Sequence, residues 1–107
     1  MLHARYAGRL PASLKELAGP THGVVELPLN VAWSGLRAYD VDRPRLRMGL
    51  YRTVLAEGQH EDLVNLLDRE LLLELWPVLR TLVSGHLREA WEDAFPELGA
   101  AAGSAAA

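Results

Sequence analysis

The spacing of apolar residues changes period along this chain, and the changes predict its elements. Between Val24 and Trp33 apolar and other residues alternate. Val25, Leu27, Leu29, Val31 and Trp33 fall on one side, and Glu26, Pro28, Asn30 and Ala32 on the other. A period of two predicts a half-buried strand. Pro28 has no N–H for a ladder, which puts the strand at a sheet edge. Ser34-Gly35 reads as a two-residue turn into a second strand, Leu36 to Val41. A lone hairpin is marginal in water, so this one must pack on the rest of the chain.

The flanking segments read as helices. Ser13 and Glu16 have the S-x-x-E spacing of a capping box and start a short helix that Gly19-Pro20 stops. After the hairpin, Asp42 is expected to cap a helix with Pro44 in its first turn, running to Glu57 and ending at Gly58. Leu46, Leu50, Tyr51, Val54 and Leu55 form its apolar arc. A further helix is expected from Glu61 to Leu67. Asp68 then caps the most apolar segment, Arg69 to Val83, where Leu71, Leu72, Leu75, Val78, Leu79 and Leu82 share a face. A proline in mid-helix clashes with the carbonyl four residues back, so Pro77 predicts a kink or a second helix starting there. Ser84 caps the last helix, which buries Leu87, Trp91 and Phe95 and is ended by Pro96.

The fold expected is α+β: a small, mostly helical domain of four to five short helices with one N-terminal β-hairpin or edge strand. Residues 1–99 make a single globular domain. Residues 100–107 carry no charge and no patterned face, and read as a low-complexity, cloning-derived tail outside it.

Composition narrows the chemistry. Half the residues are hydrophobic and none is cysteine, which excludes disulfides, thiolate catalysis and cysteine-ligated zinc. The first residues lack the apolar run of a signal peptide, and apolar stretches such as Leu71 to Leu73 are far too short for a membrane span. A cytoplasmic protein is expected. No phosphate-binding glycine loop, H-E-x-x-H or G-x-S-x-G occurs. His60-Glu61-Asp62 is a run of ligand types, but neighbours on a helix point apart. No catalytic residue, metal site or cofactor is therefore expected, and the chain reads as a non-enzyme.

Charge is uneven. Residues 1–52 hold eight Lys/Arg against four Asp/Glu, a net +4; residues 53–107 hold three against ten, a net −7. Arg37, Arg43, Arg45, Arg47 and Arg52 fall within sixteen residues. Arg45 and Arg52 lie together outside the predicted apolar arc, and Arg47 projects from its middle. Three readings stay open: ion pairs with the acidic C-terminal half, contact with an acidic protein partner, or contact with nucleic-acid phosphates. Trp33 and Trp76 are core residues or, alternatively, interface anchors. The partner-binding candidates are thus Arg37, Arg43, Arg45, Arg47, Arg52, Trp33 and Trp76.

Four stretches carry a resemblance: Leu27-Pro-Leu-Asn-Val-Ala-Trp-Ser-Gly35, Leu50-Tyr-Arg-Thr-Val-Leu-Ala-Glu-Gly58, Leu73-Glu-Leu-Trp-Pro-Val-Leu79 and Ala90-Trp-Glu-Asp-Ala-Phe-Pro-Glu-Leu98. Over roughly residues 5–98 the chain resembles small actinobacterial proteins that look like partners of AbiEii-type nucleotidyltransferase toxins. The resemblance implies an antitoxin that binds and restrains a toxin encoded by a neighbouring gene. It lends no active-site residues, because the catalytic carboxylates belong to the toxin. The chain departs from larger antitoxins of that type in lacking a clear winged helix-turn-helix. The alternative is a small DNA-binding transcriptional regulator using the Arg43 to Arg52 helix. A homodimer, and pairing of the edge strand with another chain, are left open.

Overall fold

The computed structural model describes residues 8–32 and 36–106, with the backbone alone for 104–106. Among them are five α-helices and a two-stranded antiparallel sheet, the expected small α+β fold. The chain enters through a single 3₁₀ turn, Leu14–Glu16, instead of a longer helix. Its capping box is formed. The Ser13 hydroxyl accepts from the Lys15 N–H at 3.2 Å, and the Glu16 carboxylate accepts from the Ser13 N–H at 3.2 Å and the Ala12 N–H at 2.6 Å. Leu14 and Leu17 insert into the core. Just beyond, Ala18 donates to the Val64 carbonyl and Gly19 to the Leu67 carbonyl, both at 2.8 Å.

Strands β1 (Val24–Glu26) and β2 (Ala38–Asp40) pair with Val25 opposite Tyr39, and both side chains are buried. The long strand expected to Trp33 is cut at Pro28. There the Pro28 carbonyl accepts from the N–H groups of Val31 and Ala32, each at 3.0 Å, and the chain turns. Leu29, expected inward, is 66% exposed, while Val31 and Ala32 are both buried. Leu27 donates to the Arg37 carbonyl at 2.6 Å, so residues 28–36 connect the strands. The two-residue turn expected at Ser34-Gly35 lies outside the described residues.

Helix α1 (Pro44–Glu57) starts with proline in its first turn, where no N–H is missed. Its N-cap is Arg43, and the expected cap, Asp42, is engaged elsewhere. The Asp42 carboxylate accepts from His22 Nδ1 at 3.0 Å and from the Gly23 N–H at 3.1 Å. Those bonds, His22's foremost, hold its carboxyl below the usual range. Gly23 permits this clasp because its φ is +83°, a left-handed conformation that costs glycine little. Leu50, Tyr51, Val54 and Leu55 are buried as the arc predicts. Tyr51 also reaches the next capping site: its hydroxyl accepts from the Asp68 N–H at 2.8 Å. Burial pushes its phenol up to about 12.

Helix α2 (His60–Leu66) leads to α3 (Arg69–Leu79), capped by Asp68, whose carboxylate accepts from the Leu71 N–H at 3.0 Å. No second helix starts at Pro77. Instead α3 runs through it and stops at Leu79, so the missing N–H falls in the last turn. The inward face is also rotated from the predicted one. Leu72, Trp76 and Leu79 are wholly buried, whereas Val78 is 56% and Leu82 44% exposed.

Ser84 caps α4 (Gly85–Ala94), accepting from the Leu87 N–H, and Leu87, Trp91 and Phe95 are buried as expected. Pro96 ends α4 but opens α5 (Pro96–Ala106), which continues through the alanine-rich residues 100–106. Helix α5 packs on α3 and α4; Leu98 is wholly buried and Ala102 lies against the core.

One polar knot joins α3 to α4. The Trp76 indole N–H and Arg80 Nε both donate to Glu92 Oε2 at 2.8 Å. The Arg80 bond chiefly, helped by Trp76, holds the Glu92 carboxyl below the usual range. A lowered carboxyl contributes stability above its unfolded value, 4.5, and loses it as pH falls through the lower folded value. Wild type should therefore melt above Glu92→Gln at about pH 7, and the gap should narrow as the pH falls below 4.5. A gap independent of pH would contradict the charged knot.

A candidate docking groove along α1

Three of the five clustered arginines, Arg43, Arg45 and Arg52, line one open cleft of about 820 Å³. Helix α1 positions them: Arg45 and Arg52 are seven residues apart, two turns, on its solvent side. Leu36 lines it as well. Tyr39, Leu46, Gly49 and Thr53 also line the cleft. Gly49 lets β2 and α1 close up here, since a Cβ would stand 3.3 Å from the Tyr39 ring. A second basin, of about 510 Å³, lies along the same helix and shares Pro44, Arg45, Gly49 and Arg52 with the first; Met48 and Leu82 complete it. A third, of about 350 Å³, continues past Arg52 and Ala56 to Val83 and Leu87.

The lining of the first two basins contains cations and apolar groups and no carboxylate. Tyr39 and Thr53 face each other through their hydroxyls at 3.5 Å. Leu36 is 57% exposed at the edge of this surface.

Two carboxylates of the acidic C-terminal half pair with arginines of that same half: Glu92 with Arg80, and Glu70 with Arg69, each at 2.8 Å. In the basic half, Arg43 reaches Asp40 at 3.8 Å. Among the described residues, Arg37, Arg45, Arg47 and Arg52 have no carboxylate within ion-pair distance.

Each remaining candidate has a definite place. Arg47 is half-buried in the apolar arc, as its position predicts, and its Nε is buried without a hydrogen-bond partner. Arg37 is exposed and outside the cleft lining. Trp76 is 0% exposed and its indole is committed to Glu92, so it belongs to the core and presents no surface. Trp33 lies outside the described residues. Leu36, Tyr39 and Gly49 look like ordinary strand or helix residues until β2 and α1 meet, and Leu82, expected on the inward face of its segment, borders the second basin instead.

Among the described residues, no three His, Asp or Glu side chains converge to hold an ion. Asp62 instead accepts from the Gln59 N–H and Asn30 Nδ2, both at 2.9 Å. No described helix is long and apolar enough to cross a membrane.

No family model, curated protein or solved structure matches this chain. The reading of the groove therefore rests on its own residues.

Proposed function

We propose that this chain is a non-enzymatic protein-binding module, the antitoxin of a bacterial toxin-antitoxin pair, acting in the cytoplasm on a nucleotidyltransferase-type toxin. The observation that carries the binding reading is Arg45 and Arg52, exposed and without carboxylate partners among the described residues, lining one cleft with the apolar groups of Leu36, Leu46 and Tyr39. Exposed arginines next to leucines and a tyrosine match the make-up of interface cores, where arginine and aromatics are enriched. The toxin's identity is supported by the resemblance of residues 5–98 described above.

In this reading the chain covers a toxin surface and lends it no catalytic group. Co-expression tests it. A nucleotidyltransferase encoded beside this chain should arrest growth alone and permit growth when the chain is present. Arrest undiminished by well-folded chain would refute the reading.

The same exposed arginines favour one alternative, a small DNA-binding regulator. Neutralising two or three phosphates would give a log–log salt slope of roughly −2 to −3. The apolar lining of the cleft and the net charge of −3 favour a protein partner instead. A duplex shift at low salt with that slope, lost on Arg45→Ala and Arg52→Ala, would support the alternative.

A further inference from the structure

We infer that the segment seated in the α1 cleft is an amphipathic helix of the partner protein, carrying two carboxylates seven residues apart that meet Arg45 and Arg52. This inference rests on the protein-binding reading and specifies how that surface is used.

Charge complementarity is the first support. The chain as a whole is acidic, yet the first two basins expose arginines and no carboxylate. A ligand that brings two negative charges finds them unopposed there. Spacing is the second. At 1.5 Å of rise per residue, Arg45 and Arg52 stand about 10 Å apart along α1. A helix lying along α1 repeats that interval at its own i and i+7 positions, with a drift of only about 20°. The lining is the third. Tyr39, Leu46 and Gly49 with Leu36 give apolar contacts for a row of aliphatic anchors at i, i+4 and i+7. The cleft spans α1 from Pro44 to Thr53, about 14 Å, enough for two and a half turns of partner helix.

The test is a fluorescence-anisotropy titration of the full chain with three labelled probes. One is a helical peptide with leucines at i, i+4 and i+7 and glutamates at two flanking positions seven apart. The second is its twin with lysines for the glutamates. The third is a short DNA duplex. The glutamate peptide should bind at least about tenfold more tightly than its twin, within the range that close interfacial charge pairs provide. Arg45→Glu with Arg52→Glu should reverse that preference. Leu36→Glu, at an exposed position, should weaken the glutamate peptide, and Lys15→Glu, outside the cleft, should not. Circular dichroism of each variant checks that the fold is kept. Equal binding of the two peptides, no binding of either, retention of the glutamate peptide by the double reversal, or tighter binding of the duplex would each overturn the inference. A toxin complex that survives the double reversal would overturn this docking mode and leave the antitoxin reading standing. A chain that takes the glutamate peptide but leaves the toxin unrestrained would do the opposite.

Discussion

Trp76→Ala should destabilise the protein by about 3–5 kcal/mol, a large part of the roughly 5–15 kcal/mol that holds a domain of this size folded. Trp76 is wholly buried on α3 between other wholly buried residues, Leu72 and Leu79. Removing the indole leaves a cavity that the surrounding helices cannot fully close. It also removes an N–H that donates to Glu92 at 2.8 Å, a bond to a charged acceptor. Trp76→Phe separates the two effects, because most of the ring volume stays and the hydrogen bond goes. It should cost less than Trp76→Ala but remain clearly destabilising. Urea unfolding measures both. A loss under about 1 kcal/mol for Trp76→Ala would contradict the placement of this residue in the core.

Gly19→Ala should cost about 1–3 kcal/mol or more, although it adds a single methyl group to a loop. A Cβ at Gly19 would collide with the Leu66 carbonyl carbon and stand 2.6 Å from the Leu67 nitrogen. Both obstacles are backbone, so no rotamer change relieves them. The chain would have to retreat, pulling on the Gly19 N–H bond to the Leu67 carbonyl and on the bridge between Ala18 and Asp68. Asp68 caps α3, so the disturbance reaches the central helix. Gly99→Ala is the contrast. Its Cβ would meet nothing within 4 Å inside α5, where alanine is the better helix former. It should stabilise by about 0.5–1 kcal/mol. Equal and small effects at the two glycines would show that the loop does not hold Gly19 against α2.

Local signals made much of this fold readable from the chain. Capping residues are the clearest case: Ser13, Asp68 and Ser84 each bond a free backbone N–H. Such bonds are short-range and need no partner from elsewhere. Asp42 misled for the same reason turned around. It has the position of a cap, but His22 and the left-handed Gly23, nineteen residues away, offer its carboxylate a better set of donors. The strand through Leu29 was overdrawn because alternation persists beyond Pro28 although the ladder does not. The α3 stripe differs from the expected one because Leu72, Trp76 and Leu79 form the buried row, which leaves Val78 outward, and because the helix ends at Leu79, before Leu82.

The candidate groove was half visible. The arginine cluster stands out in the sequence, and the positions of Arg45 and Arg52 outside the arc follow from helical spacing. Whether the acidic half answers them does not follow from spacing, since it depends on how Arg69 and Arg80 use the nearby carboxylates. The apolar wall was invisible for a similar reason. It arises where Leu36 and Tyr39 of the hairpin region meet α1, a long-range contact that no local pattern encodes.

Native mass spectrometry of the full chain mixed with a nucleotidyltransferase-type toxin, the class of partner proposed for it, tests the binding reading most directly. A stoichiometric complex, with nucleotidyl transfer suppressed and with both effects weakened by Arg45→Glu and Arg52→Glu, is the predicted result. Separate species and undiminished transfer, with both proteins folded, would contradict it.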